Sequence, residues 1–337
     1  MFKSALVYRI ASDWIAPSFA ALEDALQRNR FAPCGPTEPR SAGWVEPRGR
    51  DNGALLEPVG RHLMFSLRTE TRAVPAAVVK ASLDERLQRV EDETGTRPRG
   101  KRRKEFKEEV VIDLLPRAFG KVSTTRLWLD PDARLLVVGV GSLARADEAV
   151  AALLQAFRDI GSELPVSLVK TGLSPSTAMS RWLTERDAPA GFSIDRECEL
   201  QQAVPAQAAG GADAAAAARA IDAKATVRYA RHSLDIDEIV EHIEQGKVAT
   251  KLAMTWRDRV SFLLDATMTL KRIEILDVVL EAASGGDRGD GDDGFDADVA
   301  IATAELGRLI PDLIEALGGE IEADAVSAPA APAPGRG

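Results

Sequence analysis

Residues 242–276, HIEQGKVATKLAMTWRDRVSFLLDATMTLKRIEIL, read as a helix end followed by three consecutive strands. Their apolar positions alternate with polar ones that are rich in Lys and Arg, the pattern of strands with one covered face. The three strands are expected to belong to an antiparallel sheet in the C-terminal part of the chain. An amphipathic helix follows, FDADVAIATAELGRLIPDLIEALGG over 295–319, with Leu306, Leu309, Ile310, Leu313, Ile314 and Leu317 as its stripe.

The rest of the chain predicts an α+β fold of mixed, mostly antiparallel sheets with packed helices. FKSALVYRI at 2–10 suits a strand, and Pro17 opens a helix over 17–29 with Phe19, Leu22 and Leu26 on one face. The Pro- and Gly-rich 32–60 reads as an ordered loop, since Trp44 and Val45 need somewhere to pack. A strand over 62–75 leads to a helix over 76–92 that buries Val78, Val79, Leu83, Leu87 and Val90. TGTRPRG at 94–100 breaks it before a second helix over about 101–115. Strands at 122–130 and 134–140 precede a helix over 144–159. The Ala-rich 201–224 reads as a loop or short exposed helix. A strand over 225–234 follows, then a helix over 235–245 with Asp235 and Glu238 as a capping box. The loop 284–294 and the tail 325–337 are expected to be mobile. The natural partition is an N-terminal part (1–75), a helical and strand segment (76–170), a C-terminal part (171–324) and the tail.

Charge is distributed unevenly. The whole chain carries −9, but residues 277–337 hold 14 acidic against three basic side chains, which leaves +2 on 1–276. Within 97–126 there are ten Lys/Arg and four Asp/Glu. Local density, not net charge, governs a binding face. Two cysteines, Cys34 and Cys198, cannot build a disulfide framework and are expected as reduced thiols in the cytoplasm. No apolar run approaches the roughly 20 residues of a membrane span.

Enzymatic motifs do not emerge. Gly246-Lys247 is followed by Val248 and lacks the first glycine of a phosphate loop; Gly139-x-Gly141 is followed by Ala144 where a dinucleotide fingerprint needs glycine. His62, His232 and His242 fall on different elements without ligand spacing, so no metal is expected. The acidic residues around Asp296 and Asp298 suit a helix N-terminus.

FAPCG (31–35), GWVEP (43–47), LPRAF (115–119), HIEQGKVATKLAMTWRDRVSF (242–262), LKRIEI (270–275) and FDAD (295–298) occur in order between Tyr8 and Gly319. In these segments the chain closely resembles the RdgC family of bacterial recombination-associated DNA-binding proteins. It departs from the family in a longer Ala-rich segment at 205–220, a diverged 284–294 loop and the Pro/Ala tail. The resemblance implies a non-enzymatic protein without cofactors, a horseshoe-shaped subunit that pairs at two contacts into a ring homodimer. Double-stranded DNA would pass through a positively charged hole with little sequence preference. Bound protein would limit the access of a RecA-type recombinase, and the protein would be cytoplasmic and nucleoid-associated.

Candidate DNA contacts combine both lines. Arg97, Arg99, Lys101, Arg102, Arg103 and Lys104 cluster at a helix–helix junction; Arg117 and Lys121 flank Phe119. Lys224, Arg228 and Arg231 lie on the basic strand, and Lys247, Lys251, Arg257, Arg259, Lys271 and Arg272 decorate the C-terminal sheet. Each could equally be a solvated surface charge, and Arg257 could pair with Asp258 or Asp265. Phe119 is either core or a subunit contact. The rival reading is a protein-interaction regulator that binds a recombinase directly through its acidic C-terminal region.

Overall fold

The structure, a computed structural model, describes residues 2–49, 53–202, 225–230, 234–284 and 294–321. The Ala-rich segment, most of the 284–294 loop and the tail therefore lie outside the described residues, as do Lys224, Arg231 and His232.

Strand β1 (Ser4–Ile10) organises the molecule. Its Leu6–Arg9 pair with β6 (Leu135–Val138) along one edge. The other edge is shared: Ser4 and Ala5 pair with β12 (Leu270–Ile275), and Tyr8–Ile10 with β7 (Val166–Leu168). From β6 the sheet continues through β5 (Gly120–Asp130) and β4 (His62–Arg72), which is flanked by β2 (Arg40–Val45) and β3 (Leu56–Val59). From β12 it continues through β11 (Val260–Asp265), β10 (Lys247–Trp256), β8 (Phe192–Gln202) and β9 (Thr226–Tyr229). All pairings between these twelve strands are antiparallel. The expected α+β class is what the chain adopts.

Alternation along β1 explains its central place. Leu6, Tyr8 and Ile10 enter one core, while Ala5 and Val7 enter the other. The first core is closed by α1 (Phe19–Arg28) and α4 (Leu143–Arg158), through Leu22 and Leu26 and through Ala149, Leu153 and Phe157. The second holds Trp128 and Met64 from the N-terminal strands together with Leu252, Met254 and Trp256 from β10. It is closed by α5 (Pro175–Glu185), α6 (Ile236–Glu244) and the long α8 (Phe295–Ala316). A further short helix, α7 (Asp277–Ser284), follows β12. With its stripe buried from Val299 to Leu317, α8 ties both halves of the sheet together.

Several expectations are corrected. The loop expected at 32–60 contains β2 and β3, so Trp44, 1% exposed, is packed by sheet rather than by loop. Helix α1 is capped by Ser18, whose hydroxyl accepts from the Ala21 N–H, which leaves Pro17 outside and Phe19 44% exposed. On α2 (Ala76–Thr94) Val78 faces solvent, because Val79, Leu83 and Leu87 already fill the contact with α3 (Gly100–Leu114). Elements β7, α5, β8 and α7 are additions to the expected ones; α5 buries Pro175, Ala178, Met179, Trp182 and Leu183 at helical spacing and β8 buries Phe192, Cys198 and Leu200 at even spacing, so these two periods are present in the sequence.

The α2–α3 hairpin is inserted between β4 and β5, which pair along their whole length from Leu63–Leu129 to Arg72–Gly120. The chain therefore leaves the sheet at Arg72 and returns at Gly120. The buried Val79, Leu83, Leu87 and Val110 belong to neither large core, so the hairpin packs chiefly on itself.

Candidate nucleic-acid interface

Gly95, in the left-handed conformation at φ 72°, ends α2, and the backbone reverses over four residues before α3 begins at Gly100. This turn and the first turn of α3 hold Arg97, Arg99, Lys101, Arg102, Arg103 and Lys104, all exposed. Four successive basic residues spread around a helix with 3.6 residues per turn, so they cannot share one face. Arg102 lies over the Phe106 ring, as does Arg86 from α2. Arg103, Lys104 and Lys107 instead face Lys80 of α2 across a groove of about 650 Å³ whose floor includes Val79, Leu83 and Val111. Lys80 and Lys107 are the members that sequence reasoning missed; Lys107 is four residues after Arg103, one helical turn away.

Neutralisation here is incomplete. Lys101 and Glu105 are 3.9 Å apart, Lys104 and Glu108 3.8 Å, with the lysine side chains 92% and 79% exposed. Such exposed i,i+4 pairs contribute only about 0.3–0.5 kcal/mol and exchange readily for another anion. Arg97 bonds to Glu91 at 3.3 Å.

Beyond α3 a short 3-10 turn, Leu115–Arg117, leads into β5. Leu115 is buried, while Arg117, Phe119 and Lys121 project. Phe119 is 96% exposed with Val122 beside it at 56%, so the core role considered for Phe119 is excluded.

The C-terminal basic residues are placed differently. Glu197 on β8 accepts from Arg228 at 2.8 Å and from Arg272 at 2.7 Å, although β10 and β11 separate β12 from β8. Burial raises the Glu197 pKa, but the two guanidinium groups outweigh it and hold the carboxyl below its ordinary value. Lys251 bonds to Glu199 at 2.8 Å and Lys271 to Asp265 at 2.6 Å. Lys247 lies 3.2 Å from His242 Nδ1. Arg257 pairs with Asp312 of α8 at 2.9 Å, rather than with Asp258 or Asp265, and stacks on Trp256. Arg259 is bound by Glu305. This sheet is thus charged but internally paired.

Among the described residues no group of three or more His, Cys, Asp or Glu is arranged to hold a metal ion, and no helix is long and apolar enough to cross a membrane. Asp296 and Asp298 sit in the first turn of α8, where the helix dipole favours them. Cys198 is fully buried, which pushes its thiol up to about 12.

A family model described as "Putative exonuclease, RdgC" matches residues 1–320. The chain is 40% identical over 322 residues to the "Recombination-associated protein RdgC" of Cupriavidus pinatubonensis, covering 96% of this chain and 99% of that one. It is 41% identical over 323 residues to the protein of that name from Dechloromonas aromatica, covering 95% and 98%. Against the Bordetella pertussis protein of that name it is 35% identical over 319 residues, again covering 95% and 98%. The agreement extends from the N-terminal strand to the end of α8, and the chain belongs to the RdgC family.

Proposed function

We propose that this protein binds double-stranded DNA without sequence preference and without catalysis, and that as a homodimeric ring it limits a RecA-type recombinase's access to the duplex. Membership of a family whose relatives are named recombination-associated supports the recombination role. The observation that carries the binding mode is the contrast between the two basic regions. On the α2–α3 hairpin long cations project with weak partners, whereas the C-terminal sheet closes its own charge pairs. Phosphate contact requires cations that can exchange a weak partner for a phosphate oxygen. Helix α3 presents them in an all-round spread suited to backbone charge rather than to reading base edges.

Phe119 is the proposed subunit contact. A side chain 96% exposed beside exposed Val122, between Arg117 and Lys121, has the form of an aromatic anchor with a polar rim. The association would be cytoplasmic, on the nucleoid.

The decisive experiment measures affinity for two unrelated mixed-sequence duplexes across a salt series, with solution mass determined with and without DNA. The expected result is equal affinity within a few-fold, a steep fall with salt of roughly 0.9 in log–log slope per phosphate neutralised, and a dimeric mass. A salt-independent affinity or a monomer at micromolar concentration overturns the reading. The word exonuclease in the family description favours one rival, which release of nucleotides from duplex ends in Mg²⁺ or Mn²⁺ would reveal.

A further inference from the structure

On β4 and β5 one sheet face changes character part-way along. Met64 and Trp128, directly opposite each other, lie in the core beneath α8, where a side chain at Gly307 would meet the Trp128 ring at 3.9 Å. Two residues further, on the same face by the period of two, stand Ser66 and Arg126; two further again stand Arg68 and Thr124. These rows line a separate cavity of about 480 Å³ together with Lys3 and Gly139.

Arg68 is the informative member. Its guanidinium lies over the Phe31 ring, 5.5 Å from the centroid, and its Nε is buried without a hydrogen-bond partner among the described residues. A buried, charged donor left unsatisfied costs more than an ordinary hydrogen bond is worth, so such a group signals a missing acceptor. The carboxylate on the cavity wall, Glu46, is already paired with Arg30. Lys3 adds a further positive charge, and the Ser66 and Thr124 hydroxyls can donate. Phe31 itself is brought in by Gly43, whose missing side chain lets the Phe31 backbone cross: a Cβ there would stand 2.4 Å from the Phe31 Cα.

We propose that this cavity is a binding site for a single phosphate group. A guanidinium fork, an ammonium group and two hydroxyls lining one cavity, from β4, β5 and the residue before β1, match an anion that accepts on several oxygens at once. The phosphate can come from a polynucleotide backbone or from a free phosphoanion. The site is separate from the α2–α3 hairpin and does not depend on the encirclement of DNA.

The test titrates the full-length protein with inorganic phosphate against chloride at fixed ionic strength, by calorimetry and thermal melting. The wild type should show saturable binding at one site per chain; Arg68→Gln should weaken it at least tenfold and Lys3→Gln a few-fold. General salting-out by phosphate does not saturate and is indifferent to either substitution. Should Arg68→Gln fail to fold, Lys3→Gln decides alone, since Lys3 is exposed. Absence of saturable binding in the wild type, or binding that neither substitution weakens, overturns the site. A thymidine oligomer without terminal phosphates separates the sources: displacement of phosphate by it assigns the backbone, and failure to displace assigns a free phosphoanion. Loss of phosphate binding in Arg68→Gln with unchanged duplex affinity keeps this site while separating it from the hairpin.

Discussion

Arg259 holds Glu305 through two parallel hydrogen bonds, Nε to Oε2 and Nη2 to Oε1, both 2.7 Å. The pair fastens the β10–β11 turn to the middle of α8. That turn places both Arg257 and Asp258 at positive φ, 47° and 52°, where non-glycine residues are held only if the surroundings over-determine them. Arg257 bonded to Asp312 and Arg259 bonded to Glu305 supply that restraint.

Removing the two partners should not cost the same. The Glu305 side chain is 4% exposed and that of Arg259 34%. Arg259→Ala leaves a buried carboxylate with only the exposed Arg308, 3.9 Å away, and should cost about 3 kcal/mol, whereas Glu305→Ala frees an arginine that can rehydrate and should cost about 2 kcal/mol. Chemical denaturation at neutral pH checks the order; equal costs would show that Arg259 is not exposed enough to recover water.

The pH dependence follows from the same pair. The hydrogen bonds from Arg259 hold the Glu305 carboxyl below its usual range, against the opposing effect of burial. A depressed folded-state value means stability that is present above the unfolded carboxyl pKa of about 4.3 and lost as pH falls through the folded one. The wild type should therefore lose stability below about pH 4.3. The penalty of Arg259→Ala should shrink over acid pH, because Glu305 can then be buried neutral. A penalty that grows in acid would contradict this sign.

Gly43→Ala should destabilise the protein by about 2–3 kcal/mol, an overpacking cost against backbone that cannot yield. The new Cβ would meet Phe31 Cα at 2.4 Å and Arg30 C at 2.8 Å. Separating them breaks the bonds from Phe31 N to Trp44 O and from Trp44 N to Asn29 O. A thermal melt within a degree of wild type would show that the 29–31 segment moves at little cost.

Phe119→Ser should leave the thermal transition of the subunit within the roughly 0.5 kcal/mol typical of surface changes, because the ring has no core contact to lose. Sedimentation should show weaker self-association. An unchanged association constant removes Phe119 from the subunit contact.

Replacing Lys101, Arg102, Arg103 and Lys104 by Gln should flatten the salt dependence of duplex affinity by up to about 3–4 units of log–log slope, without altering sequence preference. Lys251→Gln and Lys271→Gln should alter the slope less and stability more, since each removes the partner of a carboxylate whose side chain is 13% or 10% exposed. The reverse ranking would place DNA on the C-terminal sheet.

By itself the sequence determined the antiparallel meander of β10 to β12, the amphipathic α8, the break between α2 and α3, and the basic density around 97–104. Those signals are local: a period of two or 3.6, a glycine, a run of like charge. Where local signals were weak, the reading lost elements. In β2, Gly43 and Trp44 are dictated by the crossing of Phe31, not by an alternating pattern. Tertiary structure alone decided which cations are committed. Arg228 and Arg272 are far apart in sequence yet share Glu197, and Arg257 finds Asp312 on a helix over fifty residues away. It also decided that the buried Arg68 Nε has no acceptor among the described residues and that Arg68 lines one cavity with Lys3. Charge is a property of a residue; availability of that charge is a property of its neighbours, which only the folded chain assigns.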